Sequence, residues 1–421
     1  MRRLLALSLW ITMTASVTFA QAPVQPFAPP DNPPYVPPPE PLIPAPYQQS
    51  RPFPLFQLGE PDPAIPSFWF RGEYVLFFTS PAESLFPLAT TGTVASRGVL
   101  GHPDTRILLQ GAADYGTFNG FQYTMGGWNN SSATFGTEGS AFYLEQRARS
   151  FRYISDGTIP IFRPYVDATT ATQTSSAVAM PGLLRGSFVA ETRLKMNNSD
   201  SALLFNVHRD EQRAVHVLLG YKIVYLREEL QLTENKVVLA PGALSFLGVP
   251  MAIGDTVLIR DRFENVTRLY AAMIGARGDY VMGRLSLNWV AKFSMGWSHA
   301  RQYADGRSQL TTPAGPASPG GLLAQPTYAY RSSNDTFCVA PEGQIRVGYL
   351  LTPRFRAFAG YNVMFLSSVA RPGRQMDMSI NTSQSPTIGS GALVGVSRPL
   401  VPNNSTDFAV HGISLGFQFS Y

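Results

Sequence analysis

Large apolar residues alternate with small or polar residues along the last nine positions of the chain. Ile413, Leu415, Phe417, Phe419 and Tyr421 occupy every second position of this segment. Because successive side chains of a β-strand point to opposite faces, the pattern predicts a strand with one apolar and one polar face. Such a strand, ending the chain on an aromatic residue, is typical of the closing strand of a transmembrane β-barrel.

The longest alternation runs from residue 285 to residue 298. Its odd positions are apolar from Leu285 to Trp297, and its even positions are mostly polar from Ser286 to Ser298. The stretch exceeds an ordinary globular strand, for which about five or six residues are usual. Ten segments with this character are predicted as strands, near residues 67–79, 117–128, 134–146, 186–205, 212–227, 267–280, 284–298, 336–350, 354–367 and 407–421.

The gaps between these segments alternate between short turns and long connections, as in barrels with periplasmic turns and external loops. The external loops are predicted at 80–116, 147–185, 228–266, 299–335 and 368–406. The polar run Asn197 to Ser201 interrupts the apolar face of the fourth strand and leaves a turn open there, which would shift the count towards twelve. The fold class predicted is all-β, a transmembrane antiparallel up-and-down β-barrel of about ten strands (range eight to twelve). A soluble β-sandwich or barrel is the alternative, disfavoured by the strand lengths and the terminal strand.

The N-terminal region predicts export. Arg2 and Arg3 precede a short apolar run, and Thr18 and Ala20 are suited to cleavage after Ala20, so residues 1–20 are interpreted as a signal peptide. Residues 21–66 are proline-dense and are predicted as a disordered periplasmic tether, either an inert spacer or a docking segment for the cell wall or a periplasmic partner. The barrel is assigned to residues 67–421, and the location to the outer membrane.

Composition agrees with a half-apolar membrane protein. Aromatic residues make up 12% of the chain and charged residues 14%. The formal charge of +5 becomes +3 without Arg2 and Arg3, and the basic residues are scattered, so no nucleic-acid partner is predicted. Cys338 is the single cysteine and excludes an internal disulfide. No cofactor or metal spacing is found.

If the apolar faces point outward, charged residues of both signs point into the lumen. A ten-stranded lumen is narrow, so these residues either form a salt-bridge network that fills it or line a narrow pore with a weak preference for anions. The candidate lumen-lining residues are Arg71, Glu73, Glu138, Glu191, Arg193, Lys222, Arg277, Asp279, Lys292, Glu342, Arg346 and Arg356.

A hydrolase at the external rim is a further hypothesis, because Asp and His pairs can activate water. The chain has five histidines, and the pairing of Asp305 with His299 is interpreted as a solvated loop contact. The chain is therefore predicted not to be an enzyme.

Several ordered segments together resemble the outer-membrane β-barrel porin family seven (beta-barrel porin 7). The resemblance runs from about residue 67 to the end, and its last residue departs from it, with Tyr421 where such barrels commonly end in Phe. It implies a porin of the outer membrane and transfers no substrate or catalytic residue. The segments that carry it are 68–74, 98–108, 121–128, 135–140, 319–324, 356–362, 371–373 and 405–408.

The function predicted from these observations is a narrow or gated porin-like channel for small solutes. The alternative is a structural or adhesive surface protein with a plugged barrel and binding loops. The expected partners are outer-membrane lipids and the barrel-assembly machinery, the latter through Phe417, Phe419 and Tyr421 of the terminal strand.

Overall fold

The computed structural model describes residues 67–421. The predicted signal peptide at 1–20 and the predicted tether at 21–66 lie outside the described residues. Within 67–421, no helix is long and apolar enough to cross a membrane.

Ten antiparallel strands form a closed ring. Each strand pairs with its neighbour in the ring, and the last strand pairs with the first. The predicted barrel and its ten strands are therefore confirmed. The ring strands are β1 (Phe68–Thr79), β2 (Phe118–Trp128), β3 (Phe135–Leu144), β4 (Leu184–Arg209), β5 (Arg213–Val238), β6 (Thr256–Met282), β7 (Leu285–Thr312), β8 (Tyr330–Thr352), β9 (Phe355–Val369) and β10 (Thr406–Ser420).

The seam between β1 and β10 closes at the end of the chain. The amide of Phe68 donates to the carbonyl oxygen of Tyr421, and the amide of Tyr421 donates to the carbonyl oxygen of Phe68, both at 2.9 Å. Along the seam Phe70 pairs with Phe419 and Tyr74 with Leu415. Closure of this kind satisfies every strand edge, which a lipid environment requires.

The outward side chains form an apolar band. On β7, every odd position from Leu285 to Trp297 is exposed and apolar. These twelve residue steps cover about 40 Å along the strand, or roughly 30 Å across a bilayer at the usual strand tilt of about 40°. The band therefore matches the thickness of a hydrocarbon core.

Strands β4 to β8 continue well beyond this band. The predicted external loops at 228–266 and 299–335 are wrong in part, because residues 228–238, 256–266, 299–312 and 330–335 belong to ring strands. β4 also runs without a break through Asn197 to Ser201, since Asn198 and Asp200 point into the lumen, where polar residues are satisfied. We call the parts of β4 to β8 that lie above the apolar band, including residues 228–238, 256–266 and 299–312, the extracellular extension.

Shorter elements accompany the ring. Five of them form a second sheet, whose apolar side chains pack against the inward faces of β4 to β7, including Phe188, Leu232 and Phe263. This sheet consists of Ala82–Thr91, Arg106–Ala113, Ile161–Asp167, Thr172–Ala179 and Ser379–Ile380. The remaining elements are the strands Arg147–Ser155, Ser245–Phe246, Val249–Pro250 and Ala314–Pro319 and the 3-10 turns Pro372–Arg374 and Thr382–Gln384.

Candidate functional site: the barrel lumen

Most of the predicted lumen residues do point into the barrel, where they are buried. Their inward direction follows from strand alternation, because the apolar residues on either side of each one face the lipid. The inward, buried members of the predicted set are Arg71, Glu73, Glu138, Lys222, Arg277, Lys292, Glu342 and Arg346.

Glu138 on β3 is the centre of the network nearest the periplasmic turns. Its Oε2 atom accepts hydrogen bonds from Arg71 at 2.9 Å, from Arg277 at 2.5 Å and from the indole of Trp69 at 2.7 Å. Arg277 also contacts Asp279 at 3.1 Å. One carboxylate thus joins β1, β3 and β6, which lie on different sides of the ring.

Arg346 on β8 reaches Glu73 on β1 through two hydrogen bonds. Its Nη2 and Nε atoms lie 2.8 Å and 3.2 Å from the two carboxylate oxygens. Asn288 on β7 accepts from Arg346 at 3.2 Å and from Arg71 at 3.5 Å, and so connects this pair to the Glu138 cluster. A two-pronged arrangement of this type is the strongest geometry for an ion pair.

Two lysines complete the network nearer the middle of the barrel. Lys292 on β7 donates to Asp200 on β4 at 2.8 Å. Lys222 on β5 donates to Glu342 on β8 and lies 3.6 Å from Asp200. Both buried ammonium groups are therefore paired with carboxylates.

These contacts cross the lumen. The pairs Arg277 with Glu138, Lys222 with Glu342 and Lys292 with Asp200 each join strands three positions apart in the ring. The charges that form ion pairs in this network balance, with five cations and five carboxylates, whereas Arg356 on the inward face of β9 forms no ion pair within the described residues. The cations are Arg71, Lys222, Arg277, Lys292 and Arg346, and the carboxylates are Glu73, Glu138, Asp200, Asp279 and Glu342.

Two predicted lumen residues, Glu191 and Arg193, lie on the outer face instead. β4 alternates without a shift at this level, and Thr192 and Leu194 are the inward residues there. The prediction was wrong for these two because the strand has already left the apolar band, so charge on the outer wall faces water. Arg356 on β9 is only half-buried, next to the turn that joins β8 and β9.

An apolar layer lies above the charged network. Phe77 and Phe142 meet edge to face, with ring centroids 5.6 Å apart. Their cluster also includes Met196, Leu269 and Phe408, all buried inside the ring. An ion that entered the lumen would have to leave its hydration shell in this layer, which is costly.

A loop arginine lies above the apolar layer and is held by the wall. Arg371, which follows β9, forms two hydrogen bonds with Glu228 on β5, at 2.7 Å and 2.8 Å. Glu228 also accepts from the hydroxyl of Tyr115 at 2.9 Å. The Arg371 guanidinium lies over the ring of Phe408, 5.4 Å from its centroid. The sequence placed Arg371 only in a predicted external loop and did not identify Glu228 or Asp200 as lumen residues.

A second buried charged cluster holds the second sheet inside the extracellular extension. Arg163 contacts Glu234 on β5 at 2.5 Å and Asp261 on β6 at 3.1 Å. Burial alone would raise the pKa of the Glu234 carboxyl, but Lys236 and Arg163 hold that pKa below its usual range. The loops are thus tied to the wall by ionised groups as well as by apolar packing.

The histidine considered for catalysis has a different partner from the one suggested by the sequence. His299 lies 2.5 Å from Asp335 on the neighbouring strand β8 rather than beside Asp305. The pair is on the outer wall just above Trp297, and the adjacent Ser298 points into the barrel. Within the described part of the chain, no group of three or more His, Cys, Asp or Glu side chains is placed to hold a metal.

The chain matches one family model over most of its length. The family model described as Putative beta barrel porin-7 (BBP7) matches residues 69–421. No curated protein matches the chain at a significant level.

The solved structures to which this chain is similar include the outer membrane protease OmpT from Escherichia coli. The match has 9% identity and a TM-score of 0.41, and it covers 84% of this chain and 96% of that one. A FadL homologue from Pseudomonas aeruginosa has 10% identity and a TM-score of 0.22, with coverage of 86% and 95%. The toluene transporter TbuX from Ralstonia pickettii has 8% identity and a TM-score of 0.15, with coverage of 85% and 90%.

Proposed function

This chain belongs to the beta barrel porin-7 family, and we propose that its porin-like outer-membrane barrel is kept closed and serves as a scaffold for its extracellular loops. The observation that carries the proposal is the set of ion pairs across the lumen. An open aqueous pore needs its charged residues to face water, whereas here each of the ten charges is paired with a charge of opposite sign.

The apolar layer supports the same function. Phe77, Phe142 and Met196 fill the lumen at a level where a conducting pore would need water. Ten strands leave a lumen only slightly wider than that of eight strands, which side chains alone can fill. Two layers of different chemistry therefore block the same narrow space.

The loops add a third barrier and supply the surface that the scaffold displays. Arg371 and Arg163 tie loop segments to the inner wall through Glu228, Glu234 and Asp261. Fixing loops in this way costs conformational entropy, which apolar burial and ion pairing offset. Ordered external loops on a rigid barrel are suited to a structural or adhesive role.

The proposal is tested by solute efflux from liposomes that contain the refolded mature protein. We expect arabinose and chloride to be retained as well as in protein-free liposomes. Efflux that scales with the amount of folded protein would contradict a closed scaffold.

A narrow gated channel is the second candidate, favoured by one observation. The segment that follows β9 lies outside the ring strands and is held by non-covalent contacts: the ion pairs Arg371 with Glu228 and Arg374 with Glu83, the packing of Met376 and Met378, and the pairing of Ser379–Ile380 with Ile161–Asp167. A stimulus that breaks them would free the segment without breaking the ring. Voltage-dependent conductance of the unmodified protein would favour this candidate over the closed scaffold.

A further inference from the structure

The outer wall changes character directly above the apolar band. On the neighbouring strands β6 and β7, Tyr270 pairs with Trp297 at the upper edge of the band. Aromatic residues in this position mark the membrane interface. Going up β7 from Trp297, the outward residues are His299, Arg301, Tyr303, Asp305 and Arg307. The outward face therefore exchanges apolar side chains for polar and charged ones where the strands leave the membrane.

Two adjoining grooves lie on this part of the wall, and we call them together the basic surface. Their volumes are about 530 Å³ and about 580 Å³, and they share Arg262 and Tyr303. The cations that line them are Arg193, Lys195, Arg227, Arg260, Arg262 and Arg307 in the first groove, with Arg301 and Arg331 added by the second. The carboxylates beside them are Glu229, Asp305 and Glu264, together with Glu191, which contacts Arg193. Eight cations and four carboxylates leave a net charge of +4.

Four of the eight cations are paired within the wall, and four are not. The pairs are Arg193 with Glu191, Arg227 with Glu264, Arg262 with Glu229 and Glu264, and Arg307 with Asp305. The exposed cations that form no ion pair within the described residues are Lys195, Arg260, Arg301 and Arg331. The paired arginines fix the shape of the basic surface, while the four unpaired cations remain available to anionic groups.

The basic surface stands above the lipid head groups. Successive outward residues on a strand are about 6.6 Å apart, or roughly 5 Å in height at the usual tilt. Lys195 is in register with Val266, which lies two such steps above Tyr270, at roughly 10 Å. Arg260 lies five steps above Tyr270, at roughly 25 Å. The head-group layer adds only about 5–8 Å to each side of the hydrocarbon core, so this surface faces the aqueous space outside the membrane.

The unpaired cations are too far apart to share one small anion. Lys195 and Arg260 are two strands and three outward steps apart, which separates them by about 22 Å. Lys195 and Arg331 are four strands and one step apart, or about 20 Å. An ion pair needs an approach within about 4 Å. A ligand that contacts these cations together must therefore carry several anionic groups along an extended chain.

The other lining residues favour a polysaccharide over a chain of phosphates. Gln146 and Gln231 line the first groove, and their amide groups can both donate to and accept from sugar hydroxyls. The lining carboxylates, among them Glu229 and Asp305, can accept hydrogen bonds from hydroxyls but would repel the closely spaced charges of a nucleic acid or polyphosphate. Arginine forks match the planar carboxylates of acidic sugars.

We propose that the basic surface binds a carboxylated polysaccharide outside the outer membrane. The carboxylates of the polysaccharide pair with the four unpaired cations, and its hydroxyls bond to the amide and carboxylate side chains between them. Tyr303 lies where the two grooves meet, with the guanidinium groups of Arg262 and Arg331 at 5.8 Å and 5.7 Å from its ring centroid. These contacts hold both arginines in place for the chain that crosses from one groove to the other. The binding goes beyond the closed lumen and does not depend on whether the lumen conducts.

The test uses the refolded mature protein in dodecyl maltoside micelles. Polygalacturonate, its monomer galacturonate, neutral dextran and polyphosphate are titrated separately by isothermal titration calorimetry. We expect polygalacturonate to bind at least about a hundredfold more tightly than galacturonate, because several carboxylates are engaged at once, with an affinity that falls as salt is raised. Equal affinity for polygalacturonate and its monomer would overturn the proposal, and so would dextran or polyphosphate that binds as tightly as polygalacturonate.

Three variants locate the site. Lys195→Gln/Arg260→Gln and Arg301→Gln/Arg331→Gln each remove two unpaired charges of the basic surface, whereas Arg106→Gln/Arg284→Gln removes two exposed charges elsewhere. We expect each of the first two variants to lose about tenfold in affinity for polygalacturonate and the third to bind it normally. Equal affinity in all three variants would contradict the assignment to this surface. The comparison of ligands on the unmodified protein does not depend on any variant folding.

Discussion

Arg371 and Glu228 form a two-pronged ion pair inside the barrel, with nitrogen to oxygen distances of 2.7 Å and 2.8 Å. Arg371 lies in the connection between β9 and β10, whereas Glu228 lies on β5 on another side of the ring. Both side chains are at most 3% exposed. The pair therefore holds an external connection to the inner wall.

The first prediction concerns this pair. Arg371→Met leaves the Glu228 carboxylate buried without its cation and should destabilise docking of residues 370–404 by about 3–5 kcal/mol. Hydrogen exchange should show faster exchange in that segment while the ring strands stay protected. Arg374→Met is the matched control, because its partner Glu83 is about one-third exposed and the pair should contribute only about 0–1 kcal/mol. Unchanged exchange in Arg371→Met would contradict the role of the pair.

The second prediction concerns the charged network of the lumen. Lys222→Met removes a cation that contacts Glu342 and Asp200 and has no exposed surface. We expect a loss of about 3–5 kcal/mol in the free energy of unfolding, measured in urea by the fraction that keeps folded mobility on a gel. Lys195→Met, the same chemical change on the outer wall, should cost within about 0.5 kcal/mol. Equal losses would mean that the lumen pair does not stabilise the barrel.

The third prediction tests the apolar band. Ala291 lies midway between Leu285 and Trp297 on the outward face of β7. Ala291→Arg should cost about 2–4 kcal/mol because its charge enters the middle of the bilayer. Ala291→Leu should be tolerated, and the two variants can be compared by unfolding from lipid vesicles. An arginine variant as stable as the leucine variant would show that this position does not face lipid.

The fourth prediction concerns assembly of the ring. Deletion of residues 419–421 removes both seam hydrogen bonds between Phe68 and Tyr421 and the pairing of Phe419 with Phe70. The edges of β1 and β10 would then be left partly unpaired in the membrane, so we expect no heat-modifiable folded barrel. Tyr421→Phe keeps the aromatic ring and the backbone hydrogen bonds and should assemble normally. Normal assembly of the deletion variant would refute the role of the terminal strand.

The barrel was predictable from the sequence because lipid imposes strict alternation on each strand. Where the band ends, the constraint also ends: Glu191 and Arg193 were assigned to the lumen on the assumption that all outward residues are apolar. The same assumption made residues 228–238 and 299–312 look like loops. In this part of the wall the strands face water on the outside and packed loops on the inside. Their outward residues therefore need not be apolar, and the alternation that identifies a membrane strand is missing.

The contacts across the lumen could be predicted only as a class. The alternation placed Lys222, Lys292 and Glu342 inside, but their pairing depends on strand stagger and on which residues share a height. Asp200 was missed because it lies in the polar run that suggested a turn. Arg371 contacts Glu228, and His299 contacts Asp335. In both cases the partner is more than thirty residues away along the chain, so local sequence patterns do not predict the contact.

Single-channel conductance of the refolded mature protein in a planar bilayer tests the closed lumen most directly. We expect no reproducible conductance steps from demonstrably folded protein across the tested voltages. Reproducible steps whose size or ion selectivity changes when Lys292 or Arg346 is neutralised would contradict it, because they would show that ions pass through the charged network.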